Sequence, residues 1–380
     1  MTSMITAGRT ATISTASPVL TVGVEEEFLL LDPVTGRNMP VADQVAAALP
    51  EPVRERSRRE MRRSMLELVT GVCTRLDDVR EQLSQQRRVA ADAAEAAGAR
   101  LVAIGATPVA EPDVSVPPGR RYQDLADRYG PVALDPAACG LHVHVGVPDR
   151  EVAVQVCNHL QVWLPVIRAL TGNSPLFQGA DTGHASWRSV QLLRWPSMGP
   201  TPYFTSAADY DRTVTALIAS GMVLDEASIY WYARLSPSYP TVEIRVGDVC
   251  TDVDDTVLVT ALVRATVATA ISDIQAGLPA SRPRDCVLAG ANWRSARDGL
   301  SGDLIDLRLG RARPAWDLVD ELLATVSPAL LRAGDLEPVL EGLARLRADG
   351  DGATRQRAVL RRTGDVRAVL TALAEWTRAQ

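Results

Sequence analysis

Apolar residues recur along the chain with two periods. A two-residue alternation predicts strands before residue 250, and a three-to-four-residue spacing predicts helices between them and nearly everywhere after it. Residues 20–32 are rich in branched side chains, flanked by proline on both sides, and read as a strand closed by the turn Asp32-Pro33-Val34-Thr35-Gly36. A short amphipathic stretch, 41–49, follows, and residues 60–72 become strand-like in their second half. Residues 101–106 form a short apolar strand, and 140–147 alternate strictly before Pro148-Asp149, which can cap the next helix. Two more strands, 229–235 and 241–249, are joined by Ser236-Pro237-Ser238-Tyr239-Pro240. Helical spacing predicts 75–98, with Leu76, Val79 and Leu83 on one face and Gly98 as its cap, then 150–171 with a stripe from Val152 to Leu170, and 207–220. Helices 253–276, 285–300, 314–326, 337–348 and 366–378 complete the chain, while 172–206 reads as loop-rich. This order predicts an α+β fold with a helical C-terminal part. No internal repeat or long linker divides it, so residues 19–380 are expected to form a single domain behind a disordered Thr/Ser/Ala tail, 1–18.

Composition narrows the chemistry. With 380 residues and 46% hydrophobic content the chain can bury a large core, and its net charge of -6 argues against nucleic acid as a partner. All 40 basic residues are arginine, which excludes a phosphate-loop lysine, a lysine Schiff base and a lysyl-adenylate. The five cysteines form no CxxC pair, so neither a disulfide framework nor a zinc knuckle is expected. The N-terminus lacks the apolar stretch of a signal peptide and no run of about 18 apolar residues is apparent, so a cytoplasmic protein with no membrane association is expected.

Four features carry candidate chemistry. In Glu25-Glu26-Glu27 the outer two side chains share a strand face and the middle one points the other way. Two carboxylates so placed repel unless a cation lies between them or one holds a proton, although a solvated acidic edge explains them equally well. His142 and His144 share a strand face with Leu141, Val143 and Val145 opposite, an arrangement for which metal or phosphate contact competes with plain burial; His159 and His184 show no such pattern. Glu243 and Arg245 also share a face, as an ion pair or as holders of a metal and a phosphate oxygen. Glu60 and Glu67 are seven residues apart, on opposite faces of a regular strand, and reach one site only across a bulge, a bend or the point where the chain enters the strand. The six arginines between Arg54 and Arg63 read as a solvated charged face.

Gly23-Val-Glu25-Glu-Glu27, Glu60 with Met-Leu-Glu67-Leu-Val-Thr70, Gly140-Leu-His142-Val-His144-Val, Arg234-Leu-Ser-Pro and Pro240-Thr-Val-Glu243-Ile-Arg245 follow one another in this order. In that order and spacing the chain resembles the type 2 glutamate-cysteine ligases, also described as carboxylate-amine ligases, from about Thr21 to Trp376. The resemblance implies a glutamine synthetase-like fold, a curved antiparallel sheet forming an active-site funnel with helices outside, and a homodimer. It implies an ATP-dependent carbon-nitrogen ligase that phosphorylates a carboxylate, typically the glutamate γ-carboxylate, whose acyl phosphate an amine such as cysteine attacks. ADP and phosphate leave. Mg²⁺ or Mn²⁺ would then be held by Glu25, Glu27, Glu60, Glu67, His142 and Glu243. Arg234 and Arg245 would act in catalysis, and they, with His142, His144, Arg188 and Arg194, would bind ATP and substrate. A ligase for another acid and amine, a metal-dependent amide hydrolase and a non-catalytic binding protein on the same fold remain the alternatives.

Overall fold

The computed structural model describes residues 19–378; the tail expected to be disordered, 1–18, lies outside the described residues. Seven strands form the main sheet: β1 (Val22–Leu31), β2 (Ser57–Arg58), β3 (Met65–Val69), β4 (Arg100–Val102), β5 (Gly140–Gly146), β6 (Ala233–Leu235) and β7 (Thr241–Asp248). Their order is β2-β3-β1-β5-β7-β6, with β4 beside the far end of β1, and every pairing is antiparallel.

The alternation read from sequence decides the faces. Val22, Val24, Leu141, Val143, Val145, Val242 and Ile244 point into one large core. Glu25, Glu27, His142, His144 and Glu243 point the other way, because successive strand side chains alternate. Beyond Glu27 the alternation ends: Phe28 to Leu31 are all buried, the far end of β1 being covered on both faces within a second core. Glu26 points into the protein as expected, and its carboxylate is 2.9 Å from Nε of Arg87 and 2.6 Å from Oγ1 of Thr256.

Helix α1 (Leu76–Ala96) supplies Arg87 and covers the core side of the sheet. Helix α2 (Arg120–Tyr129) and the short α3 (Trp187–Leu192) border the opposite face, and α4 (Val253–Gln275) is the central helix of the first core. By length and mean hydropathy α4 could cross a membrane, although Arg264 and several threonines interrupt its apolar residues. Two thirds of its apolar window is buried inside the protein, as in the core helix of a globular fold.

Several expected elements change. Helix 150–171 is two helices, Arg150–Leu160 and Leu164–Leu170, because Pro165 lacks the N–H that would continue the ladder. Helix 314–326 runs on as Ala315–Ala333 past Pro328, since the buried stripe of Leu322, Val326, Ala329 and Leu330 outlasts the proline. It stops at Gly334, whose φ of 76° favours glycine. Gly352–Thr363, unpredicted because its sequence is mostly polar, is capped by Asp351 accepting from the Thr354 N–H at 2.8 Å. Strands 101–106 and 229–235 shrink to β4 and β6.

Candidate active site

The sheet face opposite the first core carries a continuous row of ionisable groups across four neighbouring strands. Register sets it: Glu27 stands opposite Glu67 of β3, Glu25 opposite His142 of β5, and His144 opposite Glu243 of β7. Oε2 of Glu25 is 3.0 Å from Nδ1 of His142, and its Oε1 is 3.1 Å from Nε2 of His144, so one carboxylate joins both histidines. Nε2 of His142 lies 3.7 Å from Oε1 of Glu27. The other ring nitrogen of His144 meets Oγ1 of Thr241 at 2.9 Å.

The row divides into two groups of potential metal ligands, Glu25 with His144 and Glu243, and Glu27 with Glu60 and Glu67; within each the ligand atoms lie within 4.8 Å of one another. Glu60 joins the second group from the segment between β2 and β3, where the chain enters the strand, which resolves the odd spacing of Glu60 and Glu67.

Electrostatics separates the groups. Burial opposes ionisation of Glu25, but hydrogen bonds and charge from His142 and His144 hold its carboxyl far below the ordinary range. Glu243 is lowered as well, burial being outweighed by Arg245 and Arg234. Glu27 instead rises to about 8, through burial and then the charge of Glu60. Glu67 also rises well above the ordinary value, for the same two reasons. In the first group, Glu243 is therefore balanced by two arginines and Glu25 is held by hydrogen bonds from two histidines. The second is an all-oxygen cluster with too little positive charge, a donor set that fits a hard divalent cation. Burial and the neighbouring Arg245 drop His142 to about 4, so its ring is neutral near pH 7.

The arginines take distinct places. A register shift between β5 and β7, between Leu141 and Val143, marks a bulge beside Arg245. Arg245 pairs with Glu243, and its Nη1 lies 3.3 Å from Nδ1 of His142. Arg234 holds Glu243 through Nε at 2.9 Å, and its Nη1 donates to the carbonyl of Ile229 at 2.6 Å; it lies outside the cavity lining. Arg188, from α3, reaches the cavity while 6% exposed. Arg194 pairs with Asp135, is half exposed and does not line the cavity.

The cavity has a volume of about 230 Å³. Glu27, Glu60, His142, Arg188 and Arg245 form its polar side, while Tyr122, Leu125, Trp195, Met198 and Tyr230 form a less polar wall that the sequence reading did not single out. Trp195 stands edge-on to Tyr129 at 5.0 Å and to Tyr230 at 5.5 Å. The spacing of Tyr122, Leu125 and Tyr129 carries a helical signal for α2; nothing local marks Trp195 or Tyr230, which arrive on irregular segments.

The family model described as glutamate-cysteine ligase family 2 matches residues 21–372. A relative from Salinispora tropica named "Putative glutamate-cysteine ligase 2" is 62% identical over 360 residues, covering 94% of this chain and 95% of its own. One from Mycobacterium sp. (strain KMS), named "Putative glutamate-cysteine ligase 2-2", is 46% identical over 364 residues, covering 94% and 99%. Among solved structures, a glutamate-cysteine ligase from Francisella tularensis in complex with AMP matches with a TM-score of 0.66 at 13% identity, over 96% of this chain and 90% of that one. A bifunctional glutathione synthetase from Pasteurella multocida matches with a TM-score of 0.69 at 13% identity; it covers 95% of this chain, which spans 52% of that protein. These two likenesses are of fold. The match over residues 21–372 and the two close relatives show that the chain belongs to glutamate-cysteine ligase family 2, and it is an ATP-dependent carbon-nitrogen ligase.

Proposed function

We propose that the protein joins the γ-carboxylate of glutamate to the amine of cysteine through an acyl phosphate, giving ADP and phosphate. The observation that carries this reading is the pairing of an electron-rich cluster, Glu27 with Glu60 and Glu67, with the guanidinium groups of Arg188 and Arg245 around one cavity. Phosphoryl transfer to a carboxylate brings several negative oxygens together, and both halves of that pairing oppose their repulsion.

Glu27, Glu60 and Glu67, and on the other side Glu25, His142 and Glu243, would hold Mg²⁺ or Mn²⁺, which would supply positive charge against the repulsion of the reacting anions. Arg245 and Arg188 offer planar forks to anionic oxygens, which suits phosphate and carboxylate better than a point charge. Arg234, with its donors on Glu243 and backbone carbonyls, holds Glu243 and through it Arg245 in position. His142, uncharged near neutral pH, accepts or donates hydrogen bonds without adding charge. His144 orients Glu25, and Arg194 pairs with Asp135, which lines the cavity. The protein is proposed to work in the cytoplasm as a homodimer on small-molecule substrates, expectations that rest on the family.

The test is phosphate release from ATP across a panel of acids and amines, repeated with ¹⁸O-labelled carboxylate. ADP and labelled phosphate, both requiring acid and amine, are expected with glutamate and cysteine. AMP as the main nucleotide, or unlabelled phosphate, overturns the acyl phosphate; turnover with another pair only reassigns the substrates.

A further inference from the structure

Arg188 is a buried cation that the protein leaves unsatisfied. Its Nε has no hydrogen-bond partner, its Nη2 makes one long contact of 3.5 Å to the carbonyl of Arg245, and the nearest carboxylate, Asp248, is 3.9 Å away. Burying a guanidinium is costly unless an anion meets it, so the group stands ready for a ligand. Gly140 makes room for it: a Cβ there would lie 3.0 Å from Cζ of Arg188.

Asp248 ends β7 and is 1% exposed. Its Oδ2 accepts from Oγ of Ser174 at 2.6 Å and from the Asn173 N–H at 3.1 Å, and its Oδ1 accepts from Oγ of Ser186 at 2.7 Å. Ser186 is the N-cap of α3, and Oγ of Ser174 accepts from the Arg188 N–H at 3.1 Å. Both serines therefore tie Asp248 to the backbone from which Arg188 projects. On its other side the carboxylate abuts Gly105, where a Cβ would come within 2.6 Å of Cγ of Asp248. A carboxylate braced against glycine and gathering two serines fixes one helix start in one place.

We propose that Asp248 is a positioning residue of this active site: through Ser174 and Ser186 it sets the start of α3, so that the Arg188 guanidinium meets an anionic oxygen of a bound substrate. The anion is a carboxylate or a phosphoryl oxygen. This rests on the ligase reading only in taking the cavity as the substrate site.

The test reads binding by calorimetry, with L-glutamate and the non-hydrolysable analogue AMPPNP as separate probes in the presence of Mg²⁺. Asp248→Asn, Ser186→Ala, Arg188→Ala and the Asp248→Asn/Arg188→Ala pair are compared with wild type, with melting temperature as the control for folding. The expected result is that Arg188→Ala weakens one probe at least tenfold and leaves the other within about twofold. Asp248→Asn should weaken the same probe several-fold, Ser186→Ala less, and the double variant no more than Arg188→Ala alone. A shift in glutamate identifies a carboxylate, and a shift in the nucleotide identifies a phosphoryl group. Additive losses, equal weakening of both probes, or lowered melting with unchanged binding overturn the proposal. Should Asp248→Asn not fold, Ser186→Ala decides by the same criterion, and unchanged binding in it overturns the proposal. Failure to ligate any acid to any amine would sink the ligase reading while leaving these binding results to stand.

Discussion

Replacing Glu27 by glutamine should make the metal-free protein more stable and less responsive to metal. In the folded chain, burial and Glu60 raise the Glu27 carboxyl from an ordinary value of 4.5 to about 8. A raised folded pKa means that stability is fully present below pH 4.5 and is lost as pH climbs toward 8. At pH 7 two and a half units of that interval have been crossed, and at 1.36 kcal/mol per unit the fold is destabilised by about 3 kcal/mol. Glutamine is never ionised, and its side-chain carbonyl can still accept the Gly140 N–H that Glu27 accepts at 2.5 Å. In a chelator at pH 7, Glu27→Gln should melt a few degrees above wild type, and the advantage should vanish below pH 4.5. With millimolar Mg²⁺ the order should reverse, because wild type gains the metal's binding energy and the variant has lost a ligand. Scanning calorimetry across pH 4–8, with and without Mg²⁺, measures both. A variant that melts at or below wild type in chelator, or gains as much from Mg²⁺, refutes the account of this cluster.

Glu26 should behave in the opposite way to its neighbours: Arg87→Met leaves its carboxylate buried without a cation, costs about 3–5 kcal/mol, and leaves nucleotide affinity of the folded protein unchanged, as denaturant melts and calorimetry would reveal. Arg245→Lys keeps the charge but loses the fork, and should weaken glutamate or ATP binding by about 1–3 kcal/mol; unchanged steady-state constants would reduce Arg245 to a partner for Glu243. Cys73, Cys139, Cys157 and Cys250 are buried and Cys286 is exposed, with burial pushing Cys157 up to about 12. A disulfide reagent should therefore label one thiol in the native protein without loss of ligation, and inactivation by that single label would implicate a thiol.

The parts of the site that lie on regular strands were legible in the sequence. Alternation alone assigns Glu25 and Glu27 to one face and Glu26 to the other, and pairs His142 with His144, because strand geometry repeats every two residues. Sequence could not show that these strands are neighbours, since register joins Glu25 to His142 across 117 positions. Nor could it show the bulge beside Arg245, which depends on how two strands accommodate an extra residue. The aromatic wall was missed for a related reason: Trp195 and Tyr230 sit on irregular chain with no period to read. The break at Pro165 was readable, but the apolar stripe through Trp163 to Leu170 suggested continuity. Charge relations were the least legible. Burial, together with the three-dimensional crowding of Glu60 on Glu27 and Glu67, raises these two carboxyls, and neither is visible in the sequence.

The order of strands across the sheet also governs when this catalyst comes into being. β1 and β3 leave the ribosome early, but the strand that completes the row, Thr241–Asp248, is made after almost two thirds of the chain, and it pairs directly with β5. Until then Glu25 and His144 lack Glu243, and the acidic face has no Arg245 to balance it. Pairings so distant in sequence form late and slowly. A chain ended before this strand thus carries Glu25, Glu27 and both histidines without Glu243 and Arg245. The site is therefore assembled only once β7 has paired with β5.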